Sequence, residues 1–481
     1  MSKTSKSNRF KPVEIGKVDG IRTVIEAVTE EMTAFGGVAM LTRVAEKTGL
    51  VADLAKIVHD GRAQRYVRHK AEDILMQRVG QIGAGFPDGN DCDLFRTDPG
   101  FMLALGRDPV HGAVGCSQEN TCKFEQRAVD RMNAKAVKEL FVNHFTKIME
   151  RRPKEIVLDC DGTMQKTYGA QQGSVYRGGK YKHTMYFPLK IFSGQWLLAT
   201  VLRRGDQSEA KTILDNLKMV VGKLRAKWPG VRIKVRMDSA FGSPALYEWL
   251  RKKKIGYEIG LRSNSVLNLY VKDYLKMAKE QFEKEHGEPQ FMGKDGGQRA
   301  HAEHARIRGL GTEERMREEK RWRRRRVRVV GEFSYKPEKW KNWERVICRV
   351  DYTDKGPEVH FVLVSRQYGI PQHIYEEDYC QRGLTEQSIG KIKQTGKRLS
   401  AQEFYTNQLR LTLYGIAYTL MMHLRQYAAV LKTADVDTMR KKLMIMPMVL
   451  RRTAKKLVLQ VSETHANCRI FLATWRRLSA T

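Results

Sequence analysis

EIVLDCDGT, residues 155–163, is the stretch on which the reading of this chain turns. Ile156, Val157 and Leu158 form an apolar run of the kind a buried strand needs, and Asp161-Gly162 closes it in a turn. Asp159 and Asp161 stand two positions apart, so both point to one face of that strand. A carboxylate on a hydrophobic strand is costly unless it is hydrated, paired or metal-bound. A second stretch, VRIKVRMD (231–238), repeats the design: an apolar strand runs into Asp238 and continues as Ser239-Ala240-Phe241-Gly242.

The flanking sequence supplies the rest of a sheet. KHTMYFPLKIF (182–192) and WLLATVLRR (196–204) read as two strands joined around Ser193-Gly194. SEAKTILDNLKMVVGKLRAKW (208–228) reads as a helix stopped by Pro229-Gly230, PALYEWLRKKK (244–254) as another, and YEIGLR (257–262) as a further strand. Strands in series followed by helix–strand alternation describe a mixed sheet with flanking helices, of the α/β class. Upstream, residues 1–15 read as a basic disordered tail and 16–152 as a helical domain, on the helical spacing of GGVAMLTRVAEKTGLVADLAKIV (36–58) and NAKAVKELFVNHFTKIME (133–150). Downstream, VRVVGEFSY (327–335), WERVICRVDY (343–352) and VHFVLVSR (359–366) alternate as antiparallel strands do. Residues 256–370 are therefore predicted as a β-rich insertion with its own structure, because structureless loops of that length are rare. Residues 371–435 return to helix and complete the domain begun at 153–255, and 436–481 read as a basic helical region.

Composition narrows the partners. Of 481 residues, 41% are hydrophobic, and 87 Lys and Arg against 54 acids leave a net charge of +33. A balance this basic points to a polyanion, above all nucleic acid. No apolar run reaches the length of a membrane span, and MSKTSKSNRFKP lacks the apolar core of a secretory signal. Seven scattered cysteines without a CxxC pair favour reduced thiols and a cytoplasmic setting. Gly173, Gly178, Gly179 and Lys180 superficially imitate a phosphate loop, but the Lys-Ser/Thr ending is missing and a strand follows, which excludes a nucleotide cofactor.

The helical return carries the third element of a site. YCQRGLTEQSIGKIK (379–393) places Tyr379, Arg382, Glu386 and Lys393 at offsets 0, 3, 7 and 14. At about 100° per residue these share one stripe about 60° wide. One carboxylate among a phenol and two cations makes poor core but suits a metal ion beside a phosphodiester. Two strand-borne aspartates joined by Glu386 would form a hard-oxygen site for Mg²⁺ or Mn²⁺. A pair of such ions activates a water or 3′-hydroxyl and stabilises the leaving oxygen.

Taken together, DGT at 161–163, DSAF at 238–241 and Y-x2-R-x3-E-x6-K at 379–393 resemble bacterial insertion-sequence DDE transposases. Through LDCDGT, TYGAQQG, PLKIF and RMDSAF, the chain is similar more narrowly to the insertion-sequence thirteen-eighty group, over about residues 30–475. The resemblance implies a ribonuclease-H-like core at 153–255 and 371–435, interrupted by a β-rich insertion. It implies a catalytic and metal-binding triad of Asp161, Asp238 and Glu386, with Tyr379, Arg382 and Lys393 on phosphates. Asp159 stays open as a ligand on the residues alone; the family's D-x-T spacing favours Asp161. The implied reaction is cleavage at terminal inverted repeats and joining of 3′-hydroxyls to target DNA, by a homodimer on paired ends in a bacterial, nucleoid-associated setting. The rival readings are a ribonuclease-H-like nuclease without strand transfer and a non-catalytic repressor derived from a transposase.

Further DNA contacts are expected from the run Arg315–Arg328, which holds nine basic residues and two acids, in particular Arg323, Arg324, Arg325 and Arg326. Trp322 within it is expected either to stack on a base or to pack on the insertion sheet. The helical residues 16–152 are the expected reader of the terminal repeats and the site of dimerisation, although they show no helix-turn-helix signature.

Overall fold

The structure is a computed structural model that describes residues 10–480 except 110, 130, 131, 180, 294, 339, 397 and 454. The described residues fall into two compact units, one from 1–130 together with 416–481 and the other from 131–415. The helix Phe404–Tyr427 contains the second division point.

The unit of 131–415 is built on one eight-stranded sheet. In chain order its strands are β1 (Glu155–Gly162), β2 (Leu189–Ser193), β3 (Trp196–Val201), β4 (Arg232–Met237), β5 (Gly256–Leu261), β6 (Arg326–Tyr335), β7 (Glu344–Thr353) and β8 (Gly356–Val364). Across the sheet they lie in the order β6-β7-β8-β5-β4-β1-β2-β3. β1 pairs parallel with β4, and β4 parallel with β5; every other pairing is antiparallel. The fold is thus a mixed α/β sheet, as the strand and helix pattern indicates.

Local chemistry explains the connections. β2 and β3 turn at Gly194, whose φ of 58° suits glycine. The helix Glu209–Lys227 returns the chain from β3 to the far side of β1 and ends before Pro229. Ser243 caps the helix Pro244–Lys252 by accepting a hydrogen bond from the Leu246 amide at 3.3 Å, with proline at the first helical turn, where its missing N–H costs nothing.

The period-two alternation separates two faces of the sheet. Ile156, Leu158 and Cys160 on β1, Ile233, Val235 and Met237 on β4, and Tyr257 and Ile259 on β5 enter one continuous buried core. The helices Ala134–Ile148 and Glu209–Lys227 contribute Val142, Phe145, Leu217, Val220 and Leu224 to it. The residues between them, Asp159 and Asp161, Lys234 and Arg236, and Glu258 and Gly260, therefore share the opposite face.

Several expectations are corrected. Residues 256–370 do hold the antiparallel strands β6, β7 and β8, but these extend the central sheet through the pairing of β5 with β8, for example Ile259 with Leu363. The charged residues between β5 and β6, expected within that β-rich insertion, form four helices, Ser265–Tyr270, Lys272–His286, Gly296–Arg308 and Thr312–Arg324. The N-terminal part is not helical throughout. Val13–Val18 and Ile21–Ile25 form a hairpin around Asp19-Gly20, both at positive φ, so the expected tail ends before residue 13, and residues 1–9 lie outside the described ones. The C-terminal region likewise contains strands, Met448–Arg452 and Leu457–Gln460, which pair with each other, the first also with Glu31–Thr33, before the helix Cys468–Ala480.

In the other unit, Ala71–Ala84 is the central helix and is buried from Ile74 onward. Its Arg78 is 1% exposed, pairs with Glu125 at 2.9 Å, and also donates to Gln81 and the Pro87 and Asp88 carbonyls. Phe35, Phe86, Phe95 and Phe101 pack edge-on around the same helix.

Candidate active site

The parallel pairing of β1 and β4 sets Asp159 opposite Arg236 and Cys160 opposite Met237, so Asp161 and Asp238 meet at the strand ends. Asp159 is 1% exposed and accepts from Arg236 through both oxygens, at 2.7 and 2.8 Å. Both of its oxygens are thus engaged by one guanidinium. The same guanidinium donates its remaining arm to the Asp378 carbonyl at 2.7 Å. Lys234 adds contacts to Glu258 at 3.0 Å and to Asp378 at 3.6 Å. Buried charges on the sheet thus anchor the start of the segment that carries Tyr379, Arg382, Glu386 and Lys393.

That segment is helical but not uniform: π-helical over Ile374–Asp378, tight over Tyr379–Arg382, and α-helical over Gly383–Lys393. The stripe survives these changes of pitch. Burial works to depress the Arg382 guanidinium, yet Tyr379, Asp161, Glu386 and Asp238 face it closely enough to raise it instead. Burial also pushes the Tyr379 phenol up, against the pull of Arg382 and with Asp238 adding to the rise. Gly260 makes room for this phenol: a Cβ there would meet the Tyr379 hydroxyl at 3.1 Å and the Ser239 nitrogen at 2.9 Å.

The two aspartates are electrostatically frustrated. Burial, followed by the charge of Asp238, pushes Asp161 up to about 6, with Glu386 adding and Arg382 opposing. Asp238 uses one oxygen to accept from the Ala240 amide at 2.9 Å, which fixes the turn after β4. Glu386 is half-exposed and accepts from Arg382 at 2.8 Å. Among the described residues, no three Asp, Glu, His or Cys side chains are grouped closely enough to hold a metal ion. The donor chemistry still fits a hard divalent cation: two like-charged carboxylates side by side hold one of them part-protonated until a positive charge joins them.

One residue of the site escaped the sequence reading. Lys190 on β2 is in register with Asp161 and only 2% exposed. Burial, with Lys393 nearby, drives its amine down to about 7, while Asp161 pulls the other way. Its signal was a lysine inside the apolar PLKIF strand, a position that calls for a partner. Lys393, exposed on the stripe, is brought to this lysine and through it to Asp161. Beside the Asp238 turn opens a cleft of about 640 Å³, lined among others by Ser239, Ala240, Gly260, Arg262, Arg177 and Trp340. Trp340 packs against Tyr247 and Tyr335, at 5.0 and 5.6 Å between ring centres.

The basic run is partly consumed inside the protein. Arg325 closes a two-oxygen ion pair with Asp354 at 2.8 and 2.9 Å and donates to the His286 carbonyl, so it is not free for a phosphate. Arg324 and Arg326 are exposed, the latter 4.0 Å from Asp351. The side chains of Trp322 and Arg323 lie outside the described residues. No helix among the described residues is long and apolar enough to cross a membrane.

Comparison with known proteins supplies the family. A solved piggyBac transposase synaptic complex with hairpin DNA is similar at a TM-score of 0.43 and 10% identity, covering 85% of this chain and 79% of its own. No curated protein matches the chain. The profile described as "Transposase DDE domain group 1" matches residues 17–481. That match takes in β1, β4 and the 379–393 segment together, and on it the chain belongs to the DDE transposase family.

Proposed function

We propose that the protein is the transposase of a bacterial insertion sequence of the thirteen-eighty group, which binds the element's terminal inverted repeats, cleaves its ends and joins the 3′-hydroxyls to target DNA. The observation that carries the chemistry is the meeting of Asp161 and Asp238 at neighbouring parallel strand ends, with Arg382 facing both of them and Glu386. A ribonuclease-H-like core is supported by the strand order β3-β2-β1-β4-β5 with β2 antiparallel to its neighbours.

Asp161 and Asp238 would hold the divalent ions, Mg²⁺ or Mn²⁺, with Glu386 as the third ligand. When bound, two such ions supply an activated nucleophile and a counter-charge for the leaving oxygen. The protein's own part is geometric and electrostatic. Arg382 has two competing anionic partners, Glu386 and a DNA phosphate; a phosphate that takes the guanidinium frees Glu386 to turn toward the aspartates. Tyr379, held against Gly260, and Lys393 flank the same phosphate track. Lys190 sets an amine at the floor of the site, drawn toward its charged form by Asp161. The N-terminal residues 16–152 read the terminal repeats and pair two subunits, and Arg323, Arg324, Arg326 and the C-terminal basic residues follow the backbone of the DNA.

The test is a cleavage and strand-transfer assay on a duplex carrying the element's end. Glu386→Gln should retain end binding and lose cutting; a charge-neutralised variant that still cuts would overturn the assignment. Pre-cut ends that are never joined to target DNA would instead identify a nuclease, and cutting in the presence of chelator would remove the metal ions from the reading.

A further inference from the structure

Between Asp161 and Asp206 the chain carries seven Lys and Arg and no acid. The stretch after β1 folds as a small antiparallel sheet, with His183–Tyr186 between Gln165–Lys166 and Val175–Arg177. It begins directly beyond the strand end that carries Asp161, where the Thr163 amide donates to the Pro188 carbonyl at 3.0 Å. TYGAQQG (167–173) makes its first connection, and polar bonds lock it down. Gln171 donates to the Leu399 carbonyl at 2.9 Å, and the Gln172 side chain accepts from the Phe404 amide at 3.0 Å. The Tyr186 hydroxyl donates to the Gln172 carbonyl at 2.7 Å. These bonds make a fixed shelf beside the aspartates.

What the shelf shows to solvent has one character. Gln165 and Thr167 are buried, so strand alternation leaves Lys166 and Tyr168 outward and exposed. Lys166 is in register with Met185, which puts His183 on the same face. The Tyr168 and His183 rings meet edge-on at 5.5 Å, and the adjoining Lys182 is exposed. The side chains able to read a base by paired hydrogen bonds are spent inside the protein. Arg177 gives two nitrogens to the Gly205 carbonyl, at 3.0 and 2.7 Å, Gln171 and Gln172 are held as described, and Gln165 is buried. Two ammonium groups and a phenol remain, which hold phosphates without reading sequence. Lys166 stands five positions from Asp161 and so within about 18 Å of it, roughly five base-pair steps of duplex. The element's ends have a fixed sequence, whereas target DNA differs at every insertion. A sequence-indifferent phosphate surface this near the joining point suits the target. We propose that Lys166, Tyr168, Lys182 and His183 form a target-DNA shelf, which holds the duplex that receives the 3′-hydroxyl. The inference rests on the strand-transfer reading above and names the residues that grip the target.

The test uses full-length protein, a pre-cut duplex of the element's end, and plasmids of unrelated sequence as targets. Lys166→Ala/Lys182→Ala alters exposed side chains only. It should keep the wild-type thermal midpoint, affinity for the end and cutting of uncut ends. Its joining should need at least about tenfold more target for half-maximal rate, on every target alike. The logarithmic fall of target affinity with salt should flatten by about 2, roughly one for each lost phosphate contact. Lys166→Arg/Lys182→Arg, which keeps both charges, should join like the wild type. An alanine variant with the wild-type dependence on target and salt overturns the shelf and leaves strand transfer standing. Weakened cutting of ends that carry flanking DNA would assign the surface to the flank, and weakened end binding to the element; either refutes the proposal. A wild-type protein that never joins pre-cut ends overturns the strand-transfer reading and the shelf with it.

Discussion

Asp159 and Arg236 face each other across β1 and β4 as a closed, buried ion pair, whereas Asp161 and Asp238, two residues further along the same strands, are two carboxylates side by side. The backbone is the same at both levels, and so is the sheet face. What differs is the sign of the charge on β4. At the lower level the charge is satisfied inside the protein and ties the sheet to the Asp378 carbonyl. At the upper level Arg382 and Lys190 offset it only in part, and a cation from outside would relieve the rest. Structure and chemistry are thus divided between adjacent levels of one pair of strands.

The largest effect that would break this comparison is on catalysis. Asp161→Asn, Asp238→Asn and Glu386→Gln should each reduce strand cleavage by on the order of 10³-fold or more, with end binding retained in a gel-shift assay. Asp159→Ala should behave differently: it leaves the Arg236 guanidinium buried without a counter-charge, a loss of about 3–5 kcal/mol in chemical denaturation. If Asp159→Ala is as stable as the wild type and dead in cleavage, the two levels have been assigned the wrong way round.

A smaller effect sharpens the upper level. Asp161 has a folded value of about 6 against 3.8 for an ordinary aspartate. The unfolded chain therefore releases its proton first, and stability falls as pH rises from about 4 to 6 and stays lowered above that. Without divalent cations, Asp161→Asn should be more stable than the wild type at neutral pH, by up to ~3 kcal/mol. That advantage should vanish below pH ~4 and shrink when Mg²⁺ is added, since only the wild type gains the ion. Thermal melts at three pH values, with and without Mg²⁺, would show it. The smallest effect belongs to Glu386, whose side chain is 58% exposed beside Arg382. Glu386→Gln should change stability by less than ~1 kcal/mol in the same melts, so its loss of cutting cannot be attributed to unfolding.

Much of this was legible in the linear sequence, and the exceptions share a cause. Alternation and breakers announced β1, β4 and the later strands, and the acids at their ends stood out because a strand rarely tolerates them. The Tyr379–Lys393 stripe followed from helical spacing alone, and it survived the change of pitch because the π-helical stretch lies before Tyr379 and the tight one, ending at Arg382, brings Tyr379 and Arg382 into line. What the sequence withheld was pairing across distance. Asp159 could not be separated from Asp161 until Arg236, 77 residues away, was seen to take both of its oxygens. Lys190 could not be placed at the site before its register with Asp161 was known. The strands of 326–364 were recognisable, but their joining to β5 depends on the nonlocal match of Ile259 with Leu363. The Asp19-Gly20 hairpin is a different case: its turn signal is local and strong, and it was masked by the basic residues preceding it.

The hold of Arg236 on the Asp378 carbonyl also sets how the chain can change in length. It fixes the origin from which Tyr379, Arg382 and Glu386 are counted, and a helix advances about 100° for each added residue. A single-codon insertion between Asp378 and Glu386 would therefore swing the carboxylate off the strand ends or tear the clamp loose. This short interval should therefore refuse insertions and deletions.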